Sequence, residues 1–149
     1  MWRHLVAPAM FALLAVSSPA QETKTEQGKA PLQQNVPPEV VNRKNPVAPS
    51  ATSIADGKRV FGFDCAMCHG PDGDGKGDVA VSMKLSPPDF RNETAMKKFT
   101  DGELFNIITN GNGGMPAEGK RATPEQIWNL INYVRSFAQK KPSPAAATP

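Results

Sequence analysis

The sequence of 149 residues has few of the side chains that cross-link small domains or bind metal ions, since it contains only two Cys and two His. Two Cys exclude a framework of several disulfides. Beyond the first twenty residues the one remaining His is His69, so no further Cys or His is there to complete a four-ligand zinc site with Cys65 and Cys68. No segment alternates apolar and polar residues with a period of two, so no β-sheet is predicted.

A surplus of positive charge is also absent from the central part of the chain. The formal net charge is +3, but residues 51–139 hold ten Lys and Arg against eleven Asp and Glu. The basic excess therefore belongs to the terminal segments. Proteins that bind nucleic acids concentrate Lys and Arg on one folded face or in a long run, so nucleic acid is excluded as a partner.

The first twenty residues have the features of a secretory signal peptide. Arg3 precedes an apolar run from Leu5 to Val16, and small residues follow up to Ala20. The run is about a dozen residues long, whereas a helix that spans a membrane needs roughly 20. We therefore predict cleavage after residue 20 and export to the periplasm or another compartment outside the cytoplasm. Retention of the leader as a membrane anchor is the alternative.

The rest of the chain divides into a Pro-rich spacer, one domain and a tail. Residues 21–50 contain five Pro and little hydrophobic bulk, which predicts a flexible spacer, and residues 140–149 are predicted to be a disordered tail. Residues 51–139 contain three helix-start patterns, after Ser53, Thr100 and Thr123. Apolar residues then recur at helical spacing: Ile54, Phe61 and Cys65; Leu104, Ile107 and Ile108; Ile127, Leu130, Ile131, Val134 and Phe137.

These patterns predict an all-α domain of three main helices joined by long loops. Helices this short bury little apolar surface between them, and loops longer than ten residues add little more. The prediction is therefore that a bound cofactor occupies the centre of the domain.

Both Cys and His69 fall in one pentapeptide, Cys65-Ala66-Met67-Cys68-His69, which has the spacing of a c-type haem attachment site. Residues three apart share one face of a helix, so both sulfur atoms could reach the two vinyl groups of one porphyrin, with His69 binding the iron from the same side. A thiol–disulfide pair is an alternative, but it expects a strand before the motif. A plain disulfide leaves the adjacent His unexplained.

The opposite side of the iron requires a second ligand, and Met67, Met83, Met96 and Met115 are the soft donors outside the first twenty residues. Met115 is preferred because it lies in the irregular segment NGNGGMP, residues 110–116, where Gly allows the backbone to approach a flat cofactor and Pro stiffens the exit. Met67 lies inside the attachment motif. Met83 and Met96 are predicted to fill gaps in the core.

Residues 51–139 resemble a class I, monohaem c-type cytochrome of the bacterial type. The resemblance rests on the segments GKRVFGFDCAMCHG, GPDGDGKG, GMP and EQIWNLINYVRSF. It implies that Gly57 and Phe61 pack against the last helix at Leu130 and Tyr133. The sequence departs from the family at Asp78, where many relatives have Pro near the carbonyl that accepts the His N–H, so the carbonyl that orients His69 stays open.

The resemblance implies one covalent haem c, held by Cys65, Cys68, His69 and Met115. It further implies a one-electron carrier rather than an enzyme, with redox proteins as partners that dock at the exposed haem edge and no small-molecule substrate. Two alternatives remain. One is a haem c subunit of a larger oxidoreductase complex, in which a partner protein would link this chain to a membrane complex. The other is a haem enzyme or sensor with a displaceable Met ligand.

Overall fold

The computed structural model describes residues 36–139, so the predicted signal peptide, the first part of the predicted spacer and the predicted tail lie outside the described residues. The described chain is helical, which confirms the all-α prediction; its one extended pairing is an isolated bridge between Asn112 and Met115. The helices are α1 (Pro38–Val41), α2 (Ala51–Val60), α3 (Ala66–His69), α4 (Asp78–Ser82), α5 (Glu93–Met96), α6 (Asp101–Asn110) and α7 (Pro124–Gln139). Between residues 36 and 139, no helix has the length and apolar character needed to cross a membrane.

The predicted starts of α6 and α7 are confirmed. The Glu103 N–H donates to the Thr100 hydroxyl at 3.2 Å, and the Thr100 N–H donates to the Glu103 carboxylate at 2.7 Å. Thr123 and Gln126 form the same reciprocal pair at the start of α7, at 2.8 and 3.3 Å. Each pair satisfies backbone donors that have no partner within the helix, which stabilises the first turn.

The predicted start of α2 is wrong by three residues. The N-cap is Ser50, whose hydroxyl accepts from the Ser53 N–H at 3.1 Å. Ser53 lies inside the helix and is buried, and its hydroxyl accepts from the Asn132 amide at 2.8 Å. Two Ser three residues apart both fit an N-cap pattern, and the tertiary contact of Ser53 with α7 decides between them.

Helix α2 crosses α7 in close contact at Gly57. A Cβ atom at this position would overlap the backbone carbonyl of Asn129 and lie 2.8 Å from the Cβ of Tyr133. Phe61 is buried one turn later, with ring centroids 5.3 Å from those of both Tyr133 and Phe137. The expected contacts of Gly57 and Phe61 with Tyr133 are therefore confirmed, and this crossing is the centre of the protein's core.

Residues 36–50 are packed against the domain, so the prediction of a flexible spacer does not hold for them. Helix α1 lies against α6, where a Cβ atom at Gly102 would overlap the Val40 carbonyl. The Arg43 guanidinium lies over the rings of Phe105 and Trp128, 4.3 and 5.0 Å from their centroids. We call residues 38–49 the N-terminal strap.

Hydrogen bonds from amide side chains hold the second half of the strap. Asn45 donates to the Trp128 carbonyl at 3.1 Å and to Asn132 Oδ1 at 2.9 Å, and Asn132 donates to the Val47 carbonyl at 3.0 Å. The low hydrophobicity of the strap concealed this order, because polar bonds and a cation over two rings replace apolar burial.

Candidate functional site

The attachment motif lies on a π-helical turn and a short α-helix rather than at the end of a regular α-helix. After α2, the Ala66 N–H donates to the Phe61 carbonyl, five residues back, in the turn Phe61–Cys65. The wider turn changes the direction in which the following side chains point, and such turns recur at functional sites. Helix α3 then carries Cys68 and His69.

A Gly-rich loop closes around the end of α3. The Gly75 N–H donates to the His69 carbonyl at 2.8 Å, and the Gly77 N–H donates to the Cys68 carbonyl at 3.1 Å. At Gly77 a Cβ atom would overlap the Met67 carbonyl, so the loop backbone passes directly against α3. These contacts hold the backbone of the attachment motif and explain the density of Gly in GPDGDGKG.

Asp78 is the first residue of α4. It stands where many members of the c-type cytochrome family that this sequence resembles have Pro. A carboxylate in the first turn of a helix is favourable because the backbone N–H groups there carry partial positive charge. Asp78 therefore has a local structural role at the start of α4.

Met115 is positioned by a tight turn at the end of α6. The Asn112 N–H donates to the Met115 carbonyl at 3.0 Å, and the Met115 N–H donates to the Asn112 carbonyl at 2.9 Å. Gly113 has a φ of 55°, in the left-handed region. After the turn, the Glu118 N–H donates to the Ile108 carbonyl at 2.9 Å, so the loop folds back along α6. Met115 is thus partly buried against the core.

Cys65, Cys68, His69 and Met115 line one cavity of ≈ 310 Å³. The structure therefore brings all four predicted site residues together, although they come from a π-helical turn, a short helix and a distant loop. The volume is typical of sites for small cofactors. Most of the remaining wall is apolar, and its side chains are Leu85, Pro87, Pro88, Phe90, Met96, Phe99, Leu104 and Ile107.

The surroundings of His69 favour the neutral imidazole that binds metal ions. Burial lowers the pKa of His69, which favours the neutral ring. Its Nδ1 is buried and has no hydrogen-bond partner among residues 36–139. The ring stacks on Phe90 with centroids 4.6 Å apart and 20° between planes. Phe90 thus restricts the orientation of the His69 ring; no sequence pattern indicated this, because Phe90 follows an irregular Pro-rich segment.

Cys65 does not have the properties of a thiol–disulfide exchange site. Burial, with smaller contributions from the carboxylates of Glu118 and Asp64, raises the pKa of the Cys65 thiol to about 12. Redox-active C-x-x-C motifs depend instead on a lowered thiol pKa. Both Cys are free thiols. The thiol–disulfide alternative is therefore disfavoured on electrostatic grounds, and no strand precedes the motif between residues 36 and 65.

The lining of the cavity fits an iron porphyrin. In the described part of the chain, no group of three or more His, Cys, Asp or Glu could hold a metal ion alone. The apolar walls suit the faces of a flat porphyrin, and His69, which lines the cavity, has a buried Nδ1 that no described group bonds.

The other three Met differ in their surroundings. Met96 is 3% exposed and belongs to the core, as predicted, although it also lines the cavity. Met83 is 64% exposed, so the prediction that it fills a gap in the core is wrong; it follows the last residue of α4 at the surface. Met67 is also largely exposed. Met115 and Met96 are thus the buried or partly buried sulfur donors at the cavity.

Comparison with known proteins agrees with this site. The family described as "Cytochrome C oxidase, cbb3-type, subunit III" matches residues 52–134. The chain is 36% identical over 93 residues to cytochrome c6 of Gloeothece citriformis, an alignment that covers 60% of this chain and 76% of that protein. It is 33% identical over 92 residues to the cbb3-type cytochrome c oxidase subunit CcoP of Azospirillum brasilense, covering 61% of this chain and 30% of that protein.

A solved structure has the same fold. A chain of the reducing HAO-like protein complex of Kuenenia stuttgartiensis is similar with a TM-score of 0.53 and 27% identity, over 63% of this chain and 47% of that chain. The chain thus spans about half of that solved chain.

Since the match covers more than half of the sequence and includes the attachment motif, the chain belongs to the cbb3-type subunit III family of c-type cytochrome domains. It is an electron carrier of the class I, monohaem c-type cytochromes, and its cofactor is covalent haem c.

Proposed function

We propose that the protein is an exported monohaem cytochrome c that passes single electrons between redox proteins through a haem iron held by His69 and Met115. The observation that carries this proposal is the single cavity whose lining joins His69 and Met115 to both Cys. No enzymatic activity is proposed, because an iron bound by both His69 and Met115 would have no open position for a substrate.

Each site residue has a distinct role. Cys65 and Cys68 would hold the haem covalently, each through a thioether to one of its two vinyl groups. His69 and Met115 would bind the iron through a ring nitrogen and a thioether sulfur. The bound haem supplies one-electron redox chemistry. The apolar walls exclude water and thereby disfavour the additional positive charge of the oxidised state.

The cavity has an apolar rim through which a partner could approach. Met67 and Leu85 both line the cavity and are 54% and 36% exposed, and Phe63, two residues before Cys65, is 76% exposed. Because a carrier must dissociate after each transfer, we propose a small and short-lived interface at this rim. The near balance of charges in residues 51–139 gives little long-range steering.

The axial ligand is tested by comparing Met115→Leu with Met96→Leu in the purified holoprotein. We expect Met115→Leu to lose the ferric absorption band of the sulfur–iron bond, to bind carbon monoxide when reduced and to have a lower reduction potential. Met96→Leu should retain all three properties of the wild type. The reverse pattern would identify Met96 as the ligand, and retention of the band in both variants would exclude both Met.

A haem c subunit of a larger oxidoreductase complex is a second candidate function. The observation that favours it is the family match, because the family is described as an oxidase subunit and CcoP extends far beyond the aligned region. Fractionation and purification in mild detergent distinguish the two functions. A free carrier is expected in the periplasmic fraction with a mature N-terminus at Gln21. Stable co-purification with membrane subunits would instead show that the protein is a subunit of a larger complex and not a free carrier.

A further inference from the structure

A carboxylate that belongs to none of the proposed ligands is buried in the cavity wall. Glu118 lines the same cavity as Cys65 and Met115, and its side chain is only 5% exposed. Its backbone is held in place by the bond to the Ile108 carbonyl at the end of α6. A buried charge is costly unless it is paired, so its surroundings show how it is tolerated.

Arg121 is the partner of Glu118 and lies on the solvent side. Arg121 Nε donates to Glu118 Oε2 at 3.0 Å, and a second nitrogen, Nη2, donates to Oε1. The Arg121 side chain is 56% exposed, and its Nη2 also lies 3.8 Å from Asp64 Oδ1, next to Cys65 in the sequence. The pair therefore has its negative end in the cavity wall and its positive end toward water.

The field of this pair extends to the attachment motif. After burial, the charge of Glu118 is the largest contribution that raises the pKa of Cys65. The hydrogen bond and charge of Glu118 also raise the pKa of Arg121. Because the cavity walls are mostly apolar, charge interactions across the cavity are screened less than they are in water.

We propose that Glu118 and Arg121 form an opposed charge pair that sets the reduction potential of the bound haem. The Glu118 carboxylate stabilises the oxidised state, which carries one more positive charge, and the Arg121 guanidinium offsets part of that stabilisation. Reduction adds one electron and requires no transfer of a proton or group. The inference rests on the proposed function only in requiring haem in this cavity, and it does not depend on which Met binds the iron.

The test is a redox titration at pH 8 of purified holoprotein carrying Glu118→Gln, Arg121→Gln or both substitutions. Glu118→Gln should shift the equilibrium toward the reduced form about tenfold, equivalent to about 59 mV for one electron. Arg121→Gln should shift it in the opposite direction by a smaller factor, because its charge is largely exposed. The double variant should fall between the two single variants.

Matched controls are Asp56→Asn and Arg59→Gln. These residues form an exposed ion pair on α2, at 3.2 Å, and neither lines the cavity. The two control variants remove the same charges as Glu118→Gln and Arg121→Gln, and they should alter the equilibrium between oxidised and reduced protein less than twofold. Glu118→Asp keeps the charge, so its reduction potential should stay close to that of the wild type. If Glu118→Gln does not retain haem, Glu118→Asp and Arg121→Gln still test the effect of charge.

Three outcomes would overturn the inference. Shifts of both single variants in the same direction would indicate loosening of the loop instead of a charge effect. If both single variants kept the wild-type reduction potential but had lower thermal stability, the role of Glu118 and Arg121 would be purely structural. A shift in Glu118→Gln alone would remove Arg121 from the mechanism. Failure of the proposed function is a separate result, since it would appear as wild-type protein without covalent haem.

Discussion

The α2–α7 side and the cavity side of this domain achieve their packing in different ways. At the α2–α7 crossing, helices meet directly at Gly57, Ile131 is fully buried, and the polar side chain of Asn132 is hydrogen-bonded to Ser53 and to the strap. On the cavity side, apolar side chains from loops and short helices face a cavity of ≈ 310 Å³. The protein completes one side by itself, whereas the other side leaves a cavity that we propose the haem fills.

Arg135 connects the two sides. From α7 it donates to the carbonyls of Met96 and Phe99, at 2.8 and 2.6 Å, and to Asp101 at 2.9 and 3.1 Å. Met96 and Phe99 both line the cavity. The rigid helix thereby holds a wall of the cavity through backbone carbonyl groups. The following predictions separate the two sides, from the largest expected effect to the smallest.

Removing both attachment sulfurs should disrupt the cavity side while sparing the α2–α7 crossing. We expect Cys65→Ala/Cys68→Ala to contain no covalent haem, to have the mass of the processed polypeptide alone and to lose at least about 4 kcal/mol of stability, as on removal of a tightly bound ligand. Intact mass, visible absorbance and chemical denaturation measure this. Cys65→Ala alone, with one remaining sulfur, is the intermediate control. A double variant that kept covalent haem would exclude these Cys as the attachment sites.

Gly57→Ala should damage the side that the protein completes by itself. The added Cβ overlaps the Asn129 carbonyl, so the helices must separate, at a cost of about 3 kcal/mol. The matched control is Gly62→Ala, since nothing lies within 4 Å of a Cβ built there. That control should be neutral or stabilise by up to about 1 kcal/mol. Equal unfolding free energies for the two variants would contradict the close crossing.

Replacing the connecting residue should affect both sides. We expect Arg135→Met to lower the free energy of unfolding by about 2 kcal/mol, because it removes charged hydrogen bonds to partly buried groups. Binding of imidazole to the oxidised protein should also become stronger as the cavity wall loosens. Arg91→Gln, which breaks only an exposed pair with Asp89, should change stability by less than about 0.5 kcal/mol. Unaltered imidazole binding in Arg135→Met would show that the wall does not depend on α7.

The smallest effect is expected in the N-terminal strap. Arg43→Ala removes a guanidinium from the rings of Phe105 and Trp128 and should lower stability by about 0.5–1 kcal/mol. The reduction potential should not change, because none of these three residues lines the cavity. Lys44→Ala is the adjacent control and should be neutral in chemical denaturation. An Arg43→Ala variant as stable as this control would mean that the contact of the guanidinium with the two rings does not stabilise the strap.

The difference between local and long-range contacts also explains which features of the fold could be predicted from the sequence. The starts of α6 and α7 were predictable because a capping box is a local interaction between residues three apart. The start of α2 was not predictable in this way, because the Ser53 hydroxyl accepts a hydrogen bond from Asn132 of α7 and Ser50 caps the helix. The order of the strap was missed because its contacts with the domain join residues more than sixty positions apart, such as Arg43 and Phe105 or Asn45 and Trp128.

The candidate site was predicted by residue type but not by geometry. The spacing of Cys65, Cys68 and His69 is a local chemical requirement, and so it was visible in the sequence. The π-helical turn, the Phe90 stack on His69 and the burial of Glu118 depend on contacts between distant loops. A single Glu in a loop ordinarily points into solvent, so no sequence signal distinguished Glu118.

The sequence by itself determined the helical class, the attachment motif and the neutral balance of charge in the domain, because spacing and composition along the chain express them directly. Only the tertiary structure decided that residues 36–50 belong to the packed unit, that Met83 is exposed, and that a carboxylate lies in the wall beside Met115. The physical reason is that burial and pairing of charge arise when segments far apart in sequence meet, and no local pattern records those meetings.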